Sequence, residues 1–405
     1  MEELEFSIMS RGDDPVGDLR PLLDQFEAEH RCRIRVKPLI WESGWAELVK
    51  VALYGEGPDV SEIGTTWCAS LVAMNALRPF TPREVASFGG PSAFLPSSWR
   101  TGILPGDDQL WAVPWLADMR VLYYRRDVLE QAGVDEQSAF QSHQHLMQTL
   151  EHLRASGVAT PWVMATSQAS LIGLHNLASW VWGAGGDFVA VDGKRSLLNL
   201  PETRAGIRAY LELGQYLSPA ARGLSIYQSD ALFQEGQAAV ALSWPLALVS
   251  LRQSAAPPVK ANLGAALTPG VTFIGGSNLV VWRHISRFSR AREDLALDLV
   301  HFLTGTPAQS AYNLRTSLLP VRPDVLEAPP FVADPLYRTF VQGLKTGRTF
   351  PSLPVWGLIE DRLVLALAQL WEDVLARPGQ DLDAIIAKHL GPLAQRLDLI
   401  LAQRS

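Results

Sequence analysis

The first 76 residues alternate short apolar runs with amphipathic segments, and this alternation restricts the fold more than any other feature of the sequence. Apolar runs at 4–9, 34–40 and 59–63 have the length and the boundaries of strands. The segments 19–29 and 45–53 between them are predicted to be helices. The order strand, helix, strand, helix, strand predicts an α/β protein with a parallel sheet.

Three loops follow these strands, at 11–14, 41–43 and 64–67. In parallel sheets, ligands bind beyond the carboxyl ends of the strands, so we expect the loops to converge on a ligand. The candidate contacts are Asp13, Trp41, Glu42, Thr65, Thr66 and Trp67. The alternative is structural, because a polar residue there can cap the next helix and an aromatic one can pack against its first turn.

The stretch 111–127, WAVPWLADMRVLYYRRD, is predicted to be extended, because Pro114 fixes its own backbone and disfavours helix before it. Residues two apart in a strand face the same side, so Asp118 and Arg120 point together, flanked by Trp115 and Tyr123. A carboxylate, a guanidinium and aromatic faces suit a ligand rich in hydroxyl groups. The alternative is a buried strand that carries a surface ion pair.

Charge and length exclude some classes of partner. The chain has 405 residues and a formal net charge of -7, with an isoelectric point near 5.7. This excess of negative charge argues against nucleic acid or an anionic membrane as the main partner. No apolar run approaches the length of a membrane span. The length itself predicts two or three domains, or one large protein with two lobes.

Cys32 and Cys68 are predicted to be free thiols without a redox or metal role. Cys32 opens the second strand and Cys68 follows the third. Parallel neighbours would place the two residues at opposite ends of the sheet, whereas a disulfide needs Cα atoms within roughly 7 Å.

The rest of the chain is mostly helical in pattern, with two further features of interest. Short strands are predicted at 162–165 and 238–242, and Ser243-Trp244-Pro245 opens the helix that follows the second of them. The segment 271–282 is predicted to be strand, then Gly275-Gly276-Ser277, then strand. Gly275 and Gly276 would let the backbone approach a ligand closely, and a plain turn is the alternative.

Five groups of residues occur in an order that is typical of one protein family. They are Gly57-Pro-Asp-Val60 with Gly64-Thr-Thr-Trp67 and Leu77-Arg-Pro-Phe80; the stretch 111–127; Phe233-Gln-Glu-Gly-Gln-Ala-Ala239; Gly275-Gly-Ser277; and Phe302-Leu-Thr304 with Gln309 and Leu319-Pro320. In this order they resemble the extracellular solute-binding proteins of family 1, the maltose- and trehalose-binding-protein-like components of ABC transporters.

This resemblance implies a type II periplasmic binding protein-like fold, in which two α/β lobes joined by hinge strands close on a ligand in the cleft between them. The N-terminal lobe would comprise residues 1–116 and 272–320, and the C-terminal lobe residues 117–271 and 321–405. The stretch 111–127 would be the first crossing between the lobes, and Leu319-Pro320 the last.

The resemblance also implies ligand contacts. Asp118 matches the family's acidic ligand residue, and Thr66 matches a polar one. Trp356 matches the aromatic residue that stacks on the sugar, and Trp244 lies slightly offset from a second aromatic position. Trp182 matches a helix end that faces the cleft.

The chain departs from the best-known maltose-type member at two positions. The loop after the first strand has no lysine, and Ile63 replaces an aromatic residue. These departures argue against maltose itself. His175 and His284 are expected at the surface or in the core, and Trp99 and Trp162 are expected to be structural.

We expect the solute-binding component of an ABC importer, a monomer that delivers a neutral mono- or disaccharide to a membrane permease, with no metal or other cofactor. An intracellular sugar sensor of the same fold is one alternative. A glycoside-processing enzyme is another, but it needs paired carboxylates roughly 5 to 10 Å apart, and the sequence offers no second carboxylate with a comparable partner. Polyols, phosphorylated polyols and metal chelates are other ligand classes that the resemblance allows.

The expected location is periplasmic or extracellular, with attachment to the membrane through the transporter. Met1 is followed at once by charged residues and a strand, so we expect no secretory signal in this sequence. Either a signal was removed, or the protein stays in the cytoplasm.

Overall fold

The computed structural model describes residues 2–11, 14–167, 171–376 and 379–402. The chain divides into two compact units. The first unit contains Met1–Asp118, Ile274–Tyr337 and Thr349–Gly357, and the second contains Met119–Phe273, Arg338–Arg348 and Leu358–Ser405.

Ten strands are formed by the described residues. They are β1 (Glu3–Met9), β2 (Arg33–Leu39), β3 (Val60–Gly64), β4 (Val113–Met119), β5 (Val121–Arg125), β6 (Trp162–Val163), β7 (Val240–Ser243), β8 (Leu263–Leu267), β9 (Ile274–Val281) and β10 (Leu319–Pro320).

The α-helices of the described segments lie between these strands and after the last of them. They are α1 (Pro15–His30), α2 (Trp41–Tyr54), α3 (Cys68–Ala73), α4 (Pro82–Ser87), α5 (Pro96–Arg100), α6 (Arg126–Gln131), α7 (His143–Ala155), α8 (Leu171–Gly183), α9 (Pro201–Glu212), α10 (Ile226–Gln234), α11 (Ala247–Gln253), α12 (Pro257–Ala261), α13 (Arg290–Thr304), α14 (Thr306–Thr316), α15 (Pro323–Leu326), α16 (Pro335–Thr346), α17 (Trp356–Ala376) and α18 (Leu382–Ala402).

The sheet of the first unit has the strand order β10-β4-β9-β3-β1-β2. β1 pairs in parallel with both β2 and β3, as the alternation of strands and helices predicts. β9, which comes much later in the chain, pairs antiparallel with β3, and β10 pairs antiparallel with β4. The sheet is therefore mixed, and its parallel part is the βαβαβ segment at the start of the chain.

The sheet of the second unit has the order β6-β7-β5-β8. β5 pairs antiparallel with β7 and β8, while β6 runs parallel to β7. The register places Val121 opposite Ser243. This pairing brings Arg120, the residue before β5, close to Trp244, the residue after β7.

Two local predictions are corrected by the structure. Residues 41–43 are not a loop, because α2 already begins at Trp41, with the amides of Ser43 and Gly44 bonded to the carbonyl of Ile40. Residues 271–282 do not fold as two strands around a glycine turn. Instead, Gly275 and Gly276 lie inside the continuous strand β9, which pairs with β3 from Ser277 to Val281.

Both cysteines are free, as predicted, and both are buried. Burial raises the pKa of the Cys68 thiol to about 12, so this thiol stays protonated at neutral pH. Cys68 packs with Leu48, Ile63 and Trp67 in the apolar core that holds α2 and α3 against the sheet.

Candidate functional site

A cluster of polar and aromatic side chains surrounds Arg120 in the second unit. Arg120 is 1% exposed, and its guanidinium carbon lies 5.7 Å from the ring centre of Trp244 and 5.9 Å from that of Phe273. Its Nη2 atom lies 3.3 Å from Nδ1 of His175. Planar guanidinium groups stack on aromatic faces, so Arg120 orders the rings around it.

His175 is part of this cluster and was not predicted to be. Its ring stacks on Phe273 with centres 4.2 Å apart and planes 13° apart. Burial and the charge of Arg120 hold the pKa of His175 well below its usual value, so the ring is neutral. Arginine can only donate, so Nδ1 of His175 accepts from Arg120 and its proton is on Nε2. No local sequence signal identifies His175, because it reaches Arg120 from a helix 55 residues further along the chain.

Trp244 is held by its backbone and by its indole nitrogen. The hydroxyl of Tyr123 donates to the carbonyl of Trp244 over 3.2 Å. The indole Nε1 donates to Oδ2 of Asp230 over 3.1 Å, and Ser243 Oγ donates to Oδ1 of the same carboxyl over 2.6 Å. Trp244 is only partly buried. The structure therefore fixes an aromatic ring that is still accessible.

Asp230 was absent from the sequence-based candidates. It lies on α10, whose start is fixed by a capping box in which Ser225 and Gln228 bond each other's backbone amides. Asp230 shares the inward stripe of this helix with Ile226 and Phe233. A carboxylate on an otherwise buried stripe is the signal that sequence reasoning missed. Burial raises the pKa of Asp230 to about 7.

Trp182 extends the aromatic surface of the second unit. Its plane lies 17° from that of Phe273, with ring centres 6.2 Å apart. Its Nε1 donates to Asp187 over 3.1 Å, and Arg348 both pairs with Asp187 and lies 4.8 Å from the centre of the Trp182 ring. Phe273 thus contacts Arg120, His175 and Trp182.

A second aromatic cluster lies in the first unit. Trp67 is buried, and its ring centre lies 5.6 Å from those of both Trp41 and Trp45. Arg11, which follows β1, lies 5.7 Å from the centre of the Trp41 ring and forms an ion pair with the buried Glu62 of β3. The structure therefore brings together the ends of β1 and β3 and the start of α2, as the loop prediction requires.

Thr65 and Thr66 follow β3 and are partly buried. The amide of Thr65 donates to the carbonyl of Gly276 over 3.3 Å. A Cβ atom on Gly276 would lie 2.0 Å from the carbonyl oxygen of Leu116. The close approach that this glycine permits is therefore between its own strand β9 and strand β4.

Trp115 and Trp356 are both buried in this structure. Trp115 is 1% exposed and stacks on Tyr312 with centres 5.5 Å apart, while Gln309 donates to its carbonyl over 2.6 Å. Trp115 therefore packs in the core of the first unit. Trp356 begins α17, is 0% exposed and packs against Phe350 with centres 4.6 Å apart.

The remaining candidates are only partly described. Asp118 lies near the end of β4 and is partly buried. Asp13 lies outside the described residues, and so does the side chain of Glu42. Within the described ranges, no group of three or more His, Cys, Asp or Glu side chains could hold a metal ion.

Residues 22–339 match the model of a family described as bacterial extracellular solute-binding protein. The chain belongs to this family. The prediction of a solute-binding protein, made from the order of the motifs, is thereby confirmed. No helix in the described part of this solute-binding protein combines the length and the apolar character needed to cross a membrane.

Relatives and solved structures agree with this assignment. The solute-binding protein is 24% identical to the diacetylchitobiose binding protein DasA of Streptomyces coelicolor over 358 residues, which cover 84% of this chain and 78% of the relative. It superposes on maltose-bound MalE3 of T. maritima with a TM-score of 0.82 and 21% identity, covering 97% and 100% of the two chains.

A further neighbour is the GacH receptor of Streptomyces glaucescens, solved without a ligand and with acarbose. The TM-score is 0.80 and the identity 20%, with 98% of each chain covered. At these identities the structural neighbours establish the fold alone, and they confirm the predicted periplasmic binding protein-like architecture.

Proposed function

We propose that the protein binds a neutral mono- or disaccharide and delivers it to the membrane permease of an ABC importer. The observation that carries this proposal is the cluster around Arg120. It combines the partly accessible ring of Trp244 with a guanidinium held on the ring faces of Trp244 and Phe273. Aromatic faces cover the C–H faces of a sugar, and fixed polar groups bond its hydroxyls.

The relatives named above support a saccharide as the ligand. The Streptomyces coelicolor relative is named for diacetylchitobiose, and the two structural neighbours were solved with maltose and with acarbose. The family is described as extracellular, which supports action outside the cell membrane. The contacts predicted for Asp118, Thr66 and Trp356, the lobe boundaries and the hinge closure stay predictions.

We further propose that the bound saccharide leaves intact, since both carboxylate oxygens of Asp230 are engaged by Ser243 and Trp244. A carboxylate that accepts hydrogen bonds from two protein donors fixes the positions of those donors. A glycosidase instead directs a pair of carboxylates at the scissile bond.

A thermal-shift screen against neutral mono- and disaccharides tests this function. A ligand that binds only the native state adds about 2.7 kcal/mol of stability at a hundredfold excess over its Kd. We expect at least one saccharide to raise Tm, with no hydrolysis product in the same wells. Polyols and phosphorylated sugars serve as comparison ligands. Released monosaccharide, or a shift confined to the comparison ligands, would contradict the proposal.

The variant Trp244→Ala tests whether Trp244 is part of the saccharide site. Removing an anchoring aromatic ring is expected to weaken saccharide binding about tenfold or more, because such rings dominate the energy of binding sites. Titration calorimetry with the saccharide from the screen measures this loss. Trp162→Phe is the matched control, since Trp162 is 0% exposed in the core of the same unit. It should lower Tm and leave the Kd unchanged, and equal losses of affinity in both variants would remove Trp244 from the site.

A further inference from the structure

The carboxyl group of Asp230 lies at the base of the proposed saccharide site. It joins α10 to the end of β7 by accepting hydrogen bonds from Ser243 and from the indole of Trp244. One turn earlier on the same helix, Tyr227 packs edge-on against the Trp244 ring, with centres 5.7 Å apart and planes 69° apart. A single helix face thus sets both the position and the tilt of the ring.

We propose that Asp230 is a positioning residue for Trp244 and that it couples saccharide binding to the uptake of up to one proton. This inference rests on the proposed function, because it assumes that the saccharide covers the Trp244 ring. Asp230 itself need not touch the saccharide. Its effect on affinity would pass through the indole that it holds.

The charges around Asp230 determine the direction of the coupling. Arg120 is the charged group that acts on this carboxyl, and it favours the ionised form, whereas burial acts more strongly and favours the neutral form. His175, which contacts Arg120, is neutral because its pKa is well below its usual value. The other described groups in contact, Ser243 and Trp244, do not titrate near neutral pH.

Binding shifts this balance towards the neutral form. The unliganded carboxyl has a pKa of about 7, so both forms are populated at neutral pH. A saccharide that covers Trp244 removes water from the surroundings of Asp230 and raises the pKa further. The liganded protein then binds more protons than the free protein, so affinity falls as the pH rises through 7.

The hydrogen bonds accommodate the added proton. The proton comes from solvent and bonds to Oδ1, which then donates to Ser243 Oγ as that hydroxyl rotates to accept. Oδ2 still accepts from the indole N–H of Trp244. An asparagine at position 230 reproduces this arrangement, since its Nδ2 donates to Ser243 and its oxygen accepts from Trp244.

The experiment is a titration of the full chain with the saccharide from the screen, by calorimetry between pH 6 and pH 8. We expect affinity to fall up to about tenfold over this range. The heat at pH 7 should differ between buffers of low and high ionisation enthalpy by the amount that proton uptake requires. Asp230→Asn should bind at every pH as the wild type binds at pH 6. Asp230→Ala should bind more weakly throughout, with no pH slope.

Asp187→Asn is the matched control, because Asp187 also accepts a hydrogen bond from a tryptophan indole, that of Trp182. It should keep the pH slope of the wild type. A slope that survives in Asp230→Asn, or wild-type affinity in Asp230→Ala, would overturn the inference.

A titration of tryptophan emission without ligand separates this inference from the proposed function. Wild type should show a transition near pH 7 that Asp230→Asn lacks. If no saccharide binds at any pH, the proposed function fails, and this emission transition alone decides whether Asp230 controls Trp244. Its absence from the wild type would overturn the inference in either case.

Discussion

Replacing Glu62 with alanine is expected to lower the free energy of unfolding by about 3 to 5 kcal/mol, because it breaks a buried ion pair by removing one partner. The Glu62 side chain is 0% exposed and that of Arg11 is 8% exposed. Glu62 also accepts a hydrogen bond from the amide of Met9 over 2.7 Å. The alanine variant therefore leaves a buried guanidinium and a backbone amide without their acceptor.

Denaturant titration of three variants separates the contribution of the two charges to the free energy of unfolding from that of side-chain packing. Glu62→Gln keeps an acceptor for Met9, so it should lose less stability than Glu62→Ala. The double variant Arg11→Met with Glu62→Leu removes both charges and should recover most of the loss, since apolar residues of similar volume can replace a buried pair. A double variant as unstable as Glu62→Ala would show that the ion pair is not the cause.

This ion pair also orders one aromatic cluster of the first unit. Arg11 lies on the ring of Trp41, and burial raises the pKa of the neighbouring Tyr312 to about 12, so this hydroxyl stays protonated beside Arg11. Tyr312 in turn stacks on Trp115. Arg11 is thus held by the core beneath it, and we expect Glu62→Ala to shift the Trp41 ring as well as to lower stability.

The fold was predictable because its signals are local. Strand and helix periodicities mark the elements up to α3, and the order of the motifs identifies the family. The alternation of buried and exposed residues that is typical of a half-exposed strand is absent from β4, where six of seven residues are buried. A strand covered on both faces has no outward side, so spacing could not show that Trp115 packs in the core.

The candidate site in the second unit was only half predictable, for a different reason. Arg120, Trp182 and Trp244 stand out in the sequence as a charge or a large ring beside a strand or a helix end. His175, Asp230 and Phe273 do not stand out. They reach Arg120 from α8, from α10 and from the residue before β9, so their proximity is created by tertiary packing alone.

Gly276 was predicted to let the backbone approach a ligand closely, and the structure shows a close approach to the backbone of β4, which carries a large expected effect. Gly276→Ala should lower the free energy of unfolding by about 3 kcal/mol or more, since a side chain would meet backbone and the conformation is strained. The added Cβ would lie 2.0 Å from the Leu116 carbonyl oxygen, and φ at this position is 127°. Backbone atoms of β4 cannot rotate away as the end of a side chain can.

Gly357→Ala is the control for Gly276→Ala in the same unit. Gly357 is the second residue of α17, and the nearest atom to its Cβ would be Ser70 Oγ at 3.9 Å. Alanine is favoured over glycine in a helix by about 1 kcal/mol, so this variant should be unchanged or slightly more stable. Chemical denaturation followed by circular dichroism measures both. Equal stability of the two variants would mean that β4 and β9 can separate without loss, and that the close contact at Gly276 is not needed for the sheet.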